Sequence, residues 1–299
     1  MDRWSARRQF ATTESDVSML DEEFAEAAER SDDPFAHDPA FEATLTPIWR
    51  EAKWPTEWMR LRLNPVWFGC GVTRGRGQPV LLIPGFMAGD VLMLELQRWL
   101  NRIGYRTYLS NIVCNNDCPD KTADALAKRL RAIKKRHGIG VRVIGHSLGG
   151  MLAKSLVQDH PDLIDRIVTL GSPFRSLVKA HPAVVGIWDK LKGAQSKLTG
   201  RNLGPSCGTG HCVCGFVRNL LQPLPRDVPQ FSIYSKRDGV ADWSSCTEDD
   251  PSANTEVNST HIGMVFHPDV YRAIGARLAQ PIDRTFLASQ RAALAATTE

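Results

Sequence analysis

The spacing of apolar residues changes several times along this 299-residue chain, and each change predicts a different element. PVLLIPG, from Pro79, is a short continuous apolar run closed by Pro84 and Gly85, the pattern of a strand buried on both faces. Asp90 to Arg102 then places Leu92, Leu96, Trp99 and Leu100 near helical spacing and predicts an amphipathic helix. A short strand is expected over Tyr105 to Leu109. KTADALAKRLRAIKKRHG follows as a second helix, with Leu126, Leu130 and Ile133 on one face, a basic solvated face opposite, and Gly138 as its stop. VRVIGHS, LGGMLAKSLVQDH and RIVTLGS continue as strand, helix and strand. Such alternation predicts an α/β fold with a mostly parallel central sheet covered by helices.

The alternation breaks at about residues 173–229, which are rich in Gly, Pro, Cys and Lys and read as an inserted cap. PQFSIYS resumes the strand pattern, TEVNS reads as a last edge strand, and PDVYRAIGARLAQ as a closing helix. Ahead of the sheet, residues 1 to 45 are acidic in the middle and read as an arm with one helical stretch. From Thr46 to Trp67 the chain is rich in tryptophan (Trp49, Trp54, Trp58, Trp67) and punctuated by proline, which predicts a segment buried against the core rather than a ligand cage. The expected organisation is an N-terminal extension at 1–77 packed on the core, an α/β domain at 78–280 carrying the cap at about 173–229, and a tail at 281–299.

Composition changes this picture little. With 42% hydrophobic and 23% charged residues the chain is of the soluble globular kind, and its net charge of +4 is too small to imply a nucleic-acid partner. No run of 18 apolar residues offers a transmembrane helix. Arg7, Arg8 and Phe10 resemble a twin-arginine export signal, but Ala11 to Ser18 is polar and acidic where an apolar stretch is required, so the expected location is cytoplasmic.

The chemistry enters with Gly145-His146-Ser147-Leu148-Gly149. It matches G-x-S-x-G and lies between a predicted strand and a predicted helix, where that motif has its mechanical meaning. The glycines permit a sharp turn with Ser147 at its tip, and the N-terminus of the following helix faces negative charge developing beside it. A serine hydroxyl is a poor nucleophile without a base, so a histidine and an orienting acid are required, in the chain order Ser, acid, His. Asp238, just after PQFSIYS, is the candidate acid, with Asp242 as its rival. His261, after the edge strand, is the candidate base. For an oxyanion hole the candidate donors are the amides of Leu148 and Phe86, with that of Met87 as the less favoured alternative. The side chains of Phe86 and Met87 offer an apolar wall for acyl chains, and His146 is expected to line the pocket.

IPGF, GHSLGG, RDG and STHIG, in this order and spacing, resemble the α/β-hydrolase fold, and within it bacterial lipases and carboxylesterases, over about residues 78 to 280. The resemblance implies a small-molecule ester or lipid substrate, Ser147 as nucleophile, His261 as base, Asp238 as orienting acid, and hydrolysis through an acyl-enzyme without cofactor or metal. One departure is Pro84-Gly85, where many bacterial lipases have His-Gly. The backbone role survives that change, while the lipase subclass stays open. An acyltransferase or thioesterase would use the same triad, and a non-catalytic lipid-binding protein on this fold is the alternative from a different class.

Seven cysteines remain outside this reading. Cys207, Cys212 and Cys214 flank His211, and Cys246 falls between the candidate acid and base. Disulfides stapling the cap are preferred to zinc, because paired C-x-x-C knuckles are missing, and Cys114 with Cys118 could close a further small loop. Such bridges need an oxidising compartment, in tension with the cytoplasmic expectation.

Overall fold

The computed structural model describes residues 47–175, 215–220, 222–225 and 227–281. The N-terminal arm, most of the expected cap with Cys207, His211, Cys212 and Cys214, and the tail from residue 282 lie outside the described residues.

Six strands form one sheet: β1 (Pro79–Ile83), β2 (Arg106–Leu109), β3 (Val141–His146), β4 (Ile164–Leu170), β5 (Gln230–Tyr234) and β6 (Asn254–Glu256). Their order is β2-β1-β3-β4-β5-β6, and every pairing is parallel. Parallel neighbours need crossovers, which are supplied by α2 (Leu94–Arg102), α3 (Pro119–His137) and α4 (Leu148–Asp159), while α1 (Trp54–Arg62) precedes the sheet. The short α5 (Gly215–Leu220) precedes β5, and α6 (Pro268–Ala279) closes the described chain.

The period-2 alternation of strand side chains divides the core between the two faces. Val80 and Leu82 of β1 join one cluster with Trp99, Leu100, Ile274 and Leu278, whereas Leu81 and Ile83 join another with Leu126, Leu130, Leu152 and Leu156. Both faces of β1 are therefore covered, which is why its sequence is apolar without interruption.

Most predicted elements form, with shifted ends. The helix expected from Asp90 opens as a 3-10 turn, Asp90–Met93, before α2 begins. α3 starts earlier than its apolar pattern suggests, at Pro119, because proline suits the first turn of a helix, and it ends on Gly138 at φ 70°.

The tryptophan-rich segment is only partly buried. Trp67 is 3% exposed and Leu61 and Val66 enter the same core, where the Trp99 indole N–H donates to the Val66 carbonyl at 2.7 Å. Trp49, expected to be buried, is 66% exposed and lies under Lys53 instead. Among the described residues no helix is long and apolar enough to cross a membrane.

The order of the sheet fixes where a site can form. The chain runs outward from β1 to β2 and then returns to place β3 on the other side of β1. At such a reversal the loops leaving the carboxyl ends of the two strands diverge and open a crevice. The loop after β1 carries Gly85, Phe86 and Met87, and the turn after β3 carries Ser147.

Candidate active site

β3 ends at His146 and α4 begins at Leu148, so Ser147 makes the whole turn alone, at φ 51° and ψ −122°. A non-glycine residue in that region costs on the order of 1–3 kcal/mol and persists only where its surroundings enforce it. The enforcement is local. A Cβ on Gly145 would overlap the backbone of Gly149 and Gly150, and one on Gly149 would overlap the Ile83 carbonyl oxygen, so the turn closes only with glycine at both positions. Leu148, as the first residue of α4, has an amide with no carbonyl partner within the helix.

The loop after β1 packs directly on this turn. A Cβ on Gly85 would lie 3.0 Å from Ser147 Cβ and 2.9 Å from His146 Nδ1. Buried Asn115 shapes the loop: its Nδ2 donates to the Pro84 carbonyl at 2.8 Å and its carbonyl accepts the Met87 amide at 3.0 Å. The Met87 amide is thereby engaged in holding the loop. Met87, at φ 59°, turns a 42% exposed side chain outward, and Phe86 is half-buried. Cys114 and Cys118, which could have closed a small loop, are both free thiols, and among the described residues Cys70 and Cys246 are free as well.

Asp238 and His261 arrive from the loops after β5 and β6. His261 Nδ1 meets Asp238 Oδ2 at 2.6 Å, and Asp238 Oδ1 accepts the amides of Val240 and Ala241 at 2.8 Å each. The carboxylate is thus held from one side and holds the imidazole on the other. Asp242 has a different task, capping the 3-10 turn Trp243–Cys246 through the Ser244 amide. Burial, at 4% exposure, by itself pushes the His261 pKa down, but the Asp238 charge and hydrogen bond and the Glu51 charge outweigh it, and the net shift is upward. Beside Asp238, the buried Cys246 thiol is pushed well up by desolvation and then by the Asp238 and Asp242 charges, so it stays protonated.

His146, expected to line the pocket, is a buried strut. Its Nε2 donates to the His261 carbonyl at 3.0 Å, and the two rings lie 4.8 Å apart. Desolvation, with a smaller contribution from His261, lowers its pKa to about 3, so it stays neutral. Among the described residues its buried Nδ1 has no hydrogen-bond partner.

Ser147 and the Asp238–His261 pair both border the end of β4. The Ser147 amide donates to Leu170 O at 2.8 Å, and a Cβ on the next residue, Gly171, would stand 3.0 Å from Asp238 Oδ2 and 3.2 Å from His261 Nδ1. Among the described residues no hydrogen bond joins Ser147 Oγ to His261 Nε2; the ring's bond is to Asp238. Bonds of this kind are often long before substrate arrives and tighten in the complex.

Two further contributors carry no mark in the sequence. Glu51, in the 3-10 turn Ile48–Lys53, accepts the amides of His261, Ile262 and Gly239 at 3.0, 2.9 and 3.0 Å. Glu57, on α1, accepts Thr260 N at 2.9 Å and Thr260 Oγ1 at 2.6 Å. Both sit in a stretch whose tryptophans dominate the pattern, and a glutamate near a helix start reads as a surface residue.

The family described as alpha/beta hydrolase fold matches residues 78–198. Among solved structures, the chain is similar to Bacillus licheniformis lipase BlEst2 in its propeptide form, at 16% identity and TM-score 0.52, over 69% of this chain and 51% of that one. Aspergillus fumigatus lipase B gives 16% identity and TM-score 0.48 over 68% and 53% of the two chains. Carboxylesterase CesB from Bacillus subtilis gives 16% identity and TM-score 0.46 over 71% and 87%. The match spans about half the length of the first two structures. The chain has the α/β-hydrolase fold, as the matched segment and the parallel six-stranded sheet establish.

Proposed function

We propose that the protein is a serine hydrolase that cleaves carboxylic esters with apolar acyl groups, through an acyl-enzyme on Ser147. One observation carries the reading: a buried Asp238–His261 pair, 2.6 Å apart, stands at the same end of the sheet as a serine held on a strained strand-to-helix turn. The fold of the lipases and esterases named above is consistent with it, and half-buried Phe86 with exposed Met87 supplies the apolar wall that such acyl groups need.

In this reading His261 Nε2 takes the proton of Ser147 as Oγ attacks the ester carbonyl carbon. The tetrahedral oxyanion is stabilised by the amides of Leu148 and Phe86 and by the N-terminus of α4. The imidazolium, held by Asp238, returns its proton to the departing alcohol. A water molecule, deprotonated by the same imidazole, then attacks the acyl carbon, releases the carboxylic acid and restores the Ser147 hydroxyl.

The test is hydrolysis of a chromogenic short-chain ester by the wild type and by Ser147→Ala. The variant is expected to lose at least about 10⁴-fold in kcat, the scale seen when a triad nucleophile is removed. Equal activity in the two proteins, or equal silence, refutes the proposal. A panel of acyl lengths then tests the substrate class, with kcat/KM expected to rise from acetyl to longer chains.

A further inference from the structure

Resting on the serine-hydrolase reading, we infer that Glu51 is a positioning residue for the reaction: its carboxylate, delivered by the N-terminal segment, joins the acid loop to the base loop and sets how His261 presents its ring. The argument starts from an unmet requirement of the backbone. A 3-10 turn, Ile262–Val265, begins immediately after His261. The amides at the start of a helical turn have no carbonyl partners of their own. Here four successive amides, those of residues 260 to 263, are taken by Glu57, Glu51, Glu51 again and the Thr260 hydroxyl. The Thr260 hydroxyl is itself a donor to Glu57, so the second glutamate completes the first one's work.

Glu51 does more than cap this turn. The same Oε1 that accepts the His261 amide also accepts the amide of Gly239, the residue after Asp238. One carboxylate oxygen therefore binds the backbone beside the acid and the backbone of the base. Glu51 is 6% exposed, and charge-assisted bonds in such surroundings are stronger than neutral ones. His261 is held at three points: its amide by Glu51, its carbonyl by His146, and its ring by Asp238. Asp238 and His146 come from the hydrolase sheet itself, and Glu51 comes from the segment ahead of it.

Geometry and charge lead to separable consequences. Without Glu51, three amides lose their acceptor and the two loops lose their common tie. Misplacement of a reacting group by about 1 Å can cost on the order of 100-fold in rate. The charge acts on protonation. The groups facing His261 are Asp238 at the ring, neutral His146 behind the carbonyl and Glu51 at the amide; removing the Glu51 charge withdraws the smallest of the three influences that favour the imidazolium, after the charge and the hydrogen bond of Asp238.

The experiment compares wild type, Glu51→Gln and Glu51→Ala in ester hydrolysis. Active sites are counted by fluorophosphonate labelling of Ser147, so that kcat refers to folded enzyme alone. Both variants are expected to lose about 10- to 100-fold in kcat with KM within about twofold of wild type. In Glu51→Gln, an isostere, the acidic limb of the kcat/KM profile is expected to move to lower pH. A carboxylate that only stabilised the fold would lower the number of labelled sites and leave both kcat per site and the limb in place; that result overturns the inference. In Glu51→Ala, added formate is expected to restore part of kcat, and chloride is not. Amide hydrogen exchange at Gly239, His261 and Ile262 supplies a readout independent of turnover, with loss of protection expected in Glu51→Ala and unchanged protection counting against the clasp. A wild type that neither hydrolyses esters nor reacts with the fluorophosphonate refutes the hydrolase reading, whereas an active wild type matched by Glu51→Gln in rate and pH profile refutes the positioning role alone.

Discussion

The turn that carries Ser147 is shaped by residues within a few positions of it, whereas the loop that carries His261 is held by side chains 203 to 211 positions away. In the first case the chain has one way to pass from β3 into α4, because Gly145 and Gly149 alone permit the approach of neighbouring backbone. In the second case local bonds serve only part of the loop: the Gly263 amide finds the Thr260 hydroxyl, but those of Thr260, His261 and Ile262 do not find a local acceptor. Its amides wait for carboxylates that arrive from the 3-10 turn Ile48–Lys53 and from α1. The serine turn can therefore be read from a few letters, while the loop of His261 depends on a segment outside the matched region 78–198.

The largest expected effect tests the residue that holds the His261 ring from the neighbouring loop. Asp238→Asn keeps the size of the side chain and removes its charge, so His261 loses the partner that fixes its Nδ1–H tautomer. A loss of about 10⁴-fold in kcat is expected, equivalent to about 5.5 kcal/mol in the barrier. Asp242→Asn removes an acceptor from a 3-10 cap and is expected to cost less than about tenfold. A larger loss at Asp242 than at Asp238, measured on the same ester, would exchange their assignments.

Next in size is a pair of glycine substitutions that separates rigid from yielding surroundings. In Gly149→Ala the new methyl group meets the Ile83 carbonyl, which belongs to β1 and cannot move without disturbing the sheet. A destabilisation of about 3 kcal/mol is expected, as for an overpacked core. In Gly263→Ala the nearest obstacle is the end of the Glu57 side chain, which can swing away at the loss of its bonds to Thr260. About 1 kcal/mol is expected there, the scale of a hydrogen bond exchanged for solvent. Urea unfolding of both variants measures the difference, and equal losses would mean that the histidine loop is as rigid as the serine turn.

What could be read in the sequence follows the same division. The strand β1 announces itself because burial on both faces demands an unbroken apolar run, β3, β4 and β5 because short clusters of Val, Ile, Leu and Phe end at turn residues, and α3 because its periodicity and its terminal glycine agree. Ser147, Asp238 and His261 are legible as residues at strand ends. The bond between Asp238 and His261 is not, since Asp242 stands four residues further along the same chain segment and differs in what its carboxylate meets, the Ser244 amide rather than the imidazole. Glu51 and Glu57 are invisible because their partners are backbone amides, which every residue but proline possesses. The tryptophans mislead for another reason. An aromatic-rich segment must bury some of its surface, but the helical geometry of α1 and its flanking turns leaves Trp49 facing out while Trp67 faces in.

The smallest expected effect concerns the loop after β1, where two agents could provide support. Cys114 and Cys118 are close enough in sequence to suggest a covalent staple, but both are free thiols, and among the described residues the Cys114 thiol makes a single weak bond, 3.7 Å from the Met87 carbonyl. Asn115, between them, fastens the loop through the Pro84 carbonyl, the Met87 amide and the Ala88 carbonyl, all within hydrogen-bonding distance. Replacing both cysteines by serine should accordingly change unfolding stability by no more than about 0.5 kcal/mol, the usual range for surface substitutions. Calorimetry of wild type and Cys114→Ser/Cys118→Ser checks this. A drop of 2 kcal/mol or more, about what loss of a disulfide costs, would mean that the loop after β1 is stapled in the functional protein and that its compartment is oxidising. It would also mean that this loop, like the base loop, leans on more than its own neighbours.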